Sequence, residues 1–140
     1  MFDLLMSVNF LAVLAAAAAM FVLSGLWYSK ILFANAWMKE NGFKEKDLTN
    51  PMPAMVKSVI AYLFLAWGMA ALFLAMAGWG GQVGAVEGAT WGVFLAVLIH
   101  GAAGFPNYAF ENRSVKLFLI HTGNTAVGMA VMGVILALMG

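Results

Sequence analysis

The chain contains no cysteine and only three prolines, and no basic residue precedes Lys30. Without cysteine there is no disulfide, no thiolate metal site and no cysteine nucleophile. Charged residues make up 9% of the chain, against about a quarter in soluble domains, which excludes an ordinary water-soluble fold. The formal net charge of +1 is too small for a nucleic-acid partner. No serine-histidine-acid arrangement and no phosphate-binding glycine loop is present. The two histidines have no intramembrane carboxylate near them in sequence, so no metal site is expected, a bis-histidine haem is disfavoured, and no cofactor is predicted. A secretory leader needs basic residues before its apolar run. Here Met1-Phe2-Asp3 opens the chain, and the first apolar segment is expected to be retained as a span.

What fills the chain instead is hydrocarbon. Hydrophobic residues make up 64% and the mean hydropathy is +0.94. A helix rises about 1.5 Å per residue, so roughly 20 apolar residues cross a hydrocarbon core of about 30 Å. Four segments qualify, at about residues 7–28, 54–77, 84–110 and 115–138. The expected fold class is all-α: a single four-span transmembrane domain over residues 1–140, an integral membrane four-helix bundle. Little chain is left for a separate catalytic domain.

The seven basic residues fall in two intervals, Lys30 to Lys57 and Arg113 to Lys116. Basic residues flanking spans stay on the cytoplasmic side. Both intervals therefore read as cytoplasmic loops, with the N- and C-termini outside a bacterial inner membrane. In the first loop Phe33 and Trp37 lie four residues apart, which predicts a short interfacial helix ended at Asn41-Gly42. Gly84, Gly88 and Gly92 recur every four residues and predict a groove for close helix approach. Together with the Ala15–Ala19 run, these small-residue faces predict a homo-oligomer as well as an internal seam, with a membrane-protein partner as the alternative.

Strongly polar side chains inside spans are costly and tend to face the bundle interior or a cavity. At about 100° per residue, His100, Gly104, Asn107 and Glu111 share one stripe of the third span, and His121, Asn124 and Thr125 one stripe of the fourth. Depth counted from the turn between them sets Asn107 level with His121, and His100 level with Asn124. The expectation is a polar ladder between these two helices, completed by Tyr28 and Tyr62 on the inner half, with Lys30, Arg113 and Lys116 at the cytoplasmic mouth. Histidine beside such groups can relay a proton or hold a small polar ligand. The same groups can also serve only as interhelical hydrogen bonds worth roughly 0.6–2 kcal/mol.

Several elements resemble a bacterial family of small four-span membrane proteins, the domain of unknown function 1761. They are Asn9-Phe10-Leu11-Ala12-Val13, Gly25-Leu26-Trp27-Tyr28-Ser29-Lys30 followed by Leu32-Phe33 and Trp37, Tyr108-Ala109-Phe110-Glu111-Asn112-Arg113, and Leu119-Ile120 with Gly123. The resemblance covers nearly the whole chain and implies the four-helix membrane architecture, with no established activity. It also implies a cytoplasmic position for Tyr28, Glu111 and Arg113. One departure is local: the family often carries Tyr-His just after the last-span glycine, where this chain has Asn124-Thr125 and its histidine stands at His121.

Three functional readings follow. The first is a non-enzymatic protein of the lipid bilayer whose cytoplasm-facing polar pocket binds or passes a small solute or proton, with no catalytic residue assigned. The second is a structural or accessory protein acting through helix contacts. The third is a lipid- or quinone-directed enzyme using His121 or Glu111 as acid or base. The topology has a direct test: a single cysteine replacing Lys44 is expected to react with a membrane-impermeant thiol reagent only after cells are opened, and labelling of intact cells would invert it.

Overall fold

A computed structural model describes residues 2–140, and among them there is no strand. Four helices are long and apolar enough to cross a membrane: Phe10–Trp27, Met52–Gly78, Ala85–Phe110 and Val115–Met139. They are the first to fourth spans below. A short helix, Phe2–Met6, precedes them, and a linker helix, Ala34–Asn41, follows the first span. The chain is a multi-pass membrane protein. Its lipid-facing positions are apolar side chains such as Phe64, Leu119 and Phe110, the last 90% exposed.

All seven basic residues lie at or near one end of the bundle, called here the basic end. The opposite end holds both termini. At that end Asn9 caps the first span, its side-chain oxygen accepting from the Leu11 and Ala12 N–H groups. Its amide donates at 2.7 Å to the Met139 carbonyl, so one residue closes the start of the first span onto the end of the fourth. The short terminal helix is tied down by Trp67, whose indole N–H donates to the Leu5 carbonyl at 2.7 Å.

The fourth span is the hub. It packs against the first, second and third, whereas the second and third leave an open seam between them. In lipid there is little hydrophobic drive between helices, so close backbone approach through small residues has to supply the packing. A Cβ on Gly92 would overlap the Met129 carbonyl, and one on Gly88 the Gly133 carbonyl. A Cβ on Gly128 would overlap the Met20 thioether of the first span. The predicted glycine groove is thus built by Gly88 and Gly92, while Gly84 precedes the helix as its N-cap. These glycines, with buried Ala12, Ala16 and Ala17, are used within one copy of the chain, whereas Ala18 of the predicted small-residue run is exposed.

The third span is not a uniform α-helix. Leu95–Gly101 is a π-helical segment, and its effect is visible in which residues turn inward. The inward series runs Gly88, Gly92, Ala96 and then Gly101, Gly104, Tyr108, all buried or half-buried. The step from Ala96 to Gly101 is one residue longer than an α-helical step, as the wider π turn requires. Every later residue is rotated accordingly. Pro106 sits in the α-helical stretch beyond it, Ala102–Phe110.

The linker helix ends at Gly42 in the left-handed conformation, φ 71°, the geometry that favours glycine at a helix C-terminus. It is packed against the rest of the bundle. Ala34 is buried, the Ser114 hydroxyl donates to the Glu40 carboxylate, and Lys116 approaches Glu40 at 3.7 Å. Ser114 also caps the fourth span by accepting from the Leu117 N–H. The linker helix is therefore fastened to the turn between the third and fourth spans.

The seam is expected to tolerate no side chain. Gly92→Val should lower stability in detergent unfolding by about 1–3 kcal/mol or more, because the overlap is with backbone that cannot rotate away. Gly104→Ala, where a Cβ meets nothing within 4 Å, should stay within about 0.5 kcal/mol.

Candidate functional site

Three side chains meet in the basic half of the bundle, on three different helices. Ser24 of the first span and Asn124 of the fourth are 7% and 5% exposed, the two buried polar residues of the core. The Ser24 hydroxyl donates to the Asn124 side-chain oxygen at 3.2 Å and accepts from its amide at 3.1 Å. It also accepts from the Tyr62 hydroxyl of the second span at 3.0 Å. A hydroxyl offers one donor and two acceptor sites, so Ser24 is saturated. Among the described residues no buried side-chain nitrogen or oxygen lacks a partner.

One turn nearer the basic end, the Tyr28 hydroxyl and His121 Nδ1 are 2.7 Å apart. With the phenol donating, the imidazole proton resides on Nε2. The His121 ring stands between Tyr28 and Tyr108, at centroid distances of 5.7 and 6.3 Å. Arg113 lies over the Tyr108 ring, its guanidinium carbon 4.9 Å from the ring centroid, in cation–π range. Arg113 also donates to the Asn41 side chain at 3.3 Å and approaches Glu111 at 3.6 Å.

The first span is registered on the fourth by Trp27. Its indole N–H donates to the Ile120 carbonyl at 3.0 Å, using the second lone pair of an oxygen in the helical ladder. Gly123 makes room for the ring: a Cβ there would lie 3.0 Å from Trp27 Cζ2. Trp27 stacks in turn on Phe33 at 4.5 Å, and Tyr28 meets Trp37 edge-on at 6.1 Å. The linker aromatics thus hold Tyr28 from behind.

Two cavities flank this knot. One, of about 590 Å³, lies between the basic halves of the first and second spans and is lined by Tyr28, Ser24, Gly25, Trp37, Ser58, Tyr62 and His121. The other, of about 570 Å³, lies between the second and third spans and includes Tyr62, His100, Asn124 and Thr125. Tyr62 lines both. The cavities exist because the start of the second span leans away: from Met52 to Ala61 its residues are exposed, except half-buried Ser58.

Of the residues singled out from the sequence, Tyr28, Tyr62, His121 and Asn124 come together here, and His100, though exposed, lines the second cavity with Asn124. Asn107 and Glu111 do not. Both are exposed, and among the described residues no side-chain hydrogen bond joins the third span to the fourth. The correction has a definite cause. A uniform 100° turn puts His100 and Asn107 on the inward stripe, but the π segment rotates that stripe to Gly101, Gly104 and Tyr108. The ladder partner of the fourth span is the first, through Ser24, which sequence reasoning missed; its signal was a lone hydroxyl amid apolar residues one turn before Tyr28. Lys30 pairs with Glu45 at 2.5 Å on the surface, where that hydrogen bond holds the Glu45 carboxyl below its usual range. Lys30 takes no part in either cavity; Arg113 and Lys116 serve to fasten the linker helix.

A family model described as protein of unknown function (DUF1761) matches residues 11–137. No curated protein and no solved structure matches the chain.

Removing the Ser24 hydroxyl leaves the buried Asn124 side chain without its partner. Ser24→Ala is expected to cost about 1–3 kcal/mol, whereas Ser29→Ala, whose hydroxyl bonds only the Leu26 carbonyl three residues back, should be near neutral; unfolding in detergent compares the two.

Proposed function

The chain belongs to the DUF1761 family of proteins of unknown function, and from that premise, which supplies no reaction, we propose that it binds a small solute in the cavity between its first and second spans. The observation that carries the reading is the Tyr28–His121 hydrogen bond on the wall of a cavity of about 590 Å³. That volume lies in the usual range for small-molecule sites, which are mostly apolar with a few polar groups to orient the ligand. Here the groups are the Tyr28 and Tyr62 hydroxyls, the Ser58 hydroxyl and the His121 ring.

Binding fits the geometry better than passage. Beyond the polar knot the buried side chains of Met20, Met69, Phe73, Met129 and Met132 form an apolar plug between it and the terminal end. The basic end is taken as cytoplasmic because basic flanks are retained there, which sets both termini outside a bacterial inner membrane and opens the cavity to the cytoplasm. No group in the cavity is asked to do chemistry: the reading is a binding protein, not an enzyme.

The absence of cysteine allows a clean test. In everted membrane vesicles Ser58→Cys should react with a small charged methanethiosulfonate, and Gly25→Leu in the same chain should slow that reaction, because a side chain at Gly25 enters the cavity without meeting a neighbour within 4 Å. Native mass spectrometry should show a small-molecule adduct that Gly25→Leu removes. An unreactive Ser58→Cys together with adduct-free protein would refute the reading.

A further inference from the structure

The second cavity points to a different ligand. It opens between two spans that do not seal against each other, so its mouth faces the bilayer. His100 lies roughly 15 Å inside the basic end at about 1.5 Å per residue, close to the midplane of a core about 30 Å thick. An ionisable side chain at that depth is costly and marks a site or a partner. His100 lies within the π segment Leu95–Gly101, off the inward stripe and exposed beside the cavity it lines, and π turns inside α-helices recur at functional sites.

The polar atoms of the cavity can be assigned one by one. Tyr62 spends its proton on Ser24, and Thr125 spends its own on the His121 carbonyl at 3.1 Å. Asn124 uses one amide hydrogen on Ser24, leaving the second. His100 makes no hydrogen bond among the described residues. The uncommitted donors are therefore the His100 ring N–H and one Asn124 N–H, and both favour an acceptor oxygen. Phosphate-headed lipids keep their heads at the interface, about 15 Å away, and a charge at the midplane is unfavourable. The remaining class is a lipid-dissolved molecule with an uncharged carbonyl head and an apolar tail.

We propose that the cavity between the second and third spans binds a membrane-dissolved quinone-type molecule, its carbonyl oxygens accepting from His100 and Asn124 and its tail running out between Phe64 and Ile99. The site is separate from the solute cavity and stands or falls independently of it. Gly68 supplies the control, since it lines the cavity and a Cβ there meets nothing within 4 Å; Gly68→Leu is expected to occupy the space from a position where its Cβ meets no neighbour.

The test uses the full chain in phosphatidylcholine nanodiscs with a photoreactive azido-benzoquinone bearing a decyl tail. Adducts should concentrate on peptides of the second span around Ala61–Leu72 and of the third around Leu95–His100, and unlabelled decyl-benzoquinone, but not decanol, should compete. Gly68→Leu and His100→Leu should each cut the competed labelling about tenfold. His100→Asn, which retains an N–H donor, should recover part of it, and Gly25→Leu should leave it unchanged. Uncompeted adducts spread over lipid-facing side chains, or labelling indifferent to Gly68→Leu, would overturn the proposal. So would absent labelling with efficient disulfide-linked dimers of His100→Cys, which would give His100 to a second copy of the chain.

Discussion

The structure depends on one hydroxyl group. Ser24 bonds Asn124 and Tyr62 simultaneously, and through them it ties the first span to the fourth and the second. In hydrocarbon an unpaired polar group costs several kcal/mol, because no water is available to replace the partner. Neither Asn124 nor the Tyr62 hydroxyl can therefore drift from Ser24 cheaply. Directional bonds matter more here than in a soluble core, since lipid is as apolar as leucine and burying leucine gains little. The apolar contacts set how near the helices come, while the Ser24 knot sets their rotation and depth.

Nearness and rotation are supplied by different residues. Glycines at 88, 92 and 133 let the fourth span touch the third at backbone distance, and Gly128 admits the Met20 thioether of the first. Such contact fixes a seam but leaves the far end of each helix free to diverge. The third span uses that freedom: tight against the fourth through its first half, it then passes through the π segment and rotates Tyr108 inward toward His121. The second span uses it differently, packing on the core through Ala66, Met69, Ala70 and Phe73 and leaning away below. Both cavities are the direct result of helices held together at the terminal half and released at the basic half.

How much of this was legible in the sequence follows from which physics is local. The four apolar segments and the close-packing glycines Gly88 and Gly92 depend on composition and spacing, and these read directly. Tyr28, Tyr62, His121 and Asn124 were visible as polar groups in apolar surroundings, though their pairing was not. The pairing required knowing which helices are neighbours, and four spans with short connections permit several arrangements. The assignment of Asn107 to the interior failed for a narrower reason: the projection assumes one angle per residue, and a π turn between Leu95 and Gly101 adds a residue to the repeat. No proline or glycine pair marks that turn, and Pro106, the visible irregularity, falls beyond it.

Tyr62 then acquires a role that neither cavity alone would assign. It lines both, and its hydroxyl is anchored on Ser24 at 3.0 Å, so its ring stands as part of the partition between a cavity at the basic end and one open to the bilayer. The partition is maintained by a single hydrogen bond, and interhelical bonds of this kind contribute only about 0.6 to 2 kcal/mol. That figure is a net contribution, measured against separated helices that find other partners; inside the assembled bundle the alternative is an unpaired hydroxyl, which costs more. The Tyr62 ring is therefore held in place on Ser24, and the two cavities it lines remain separate.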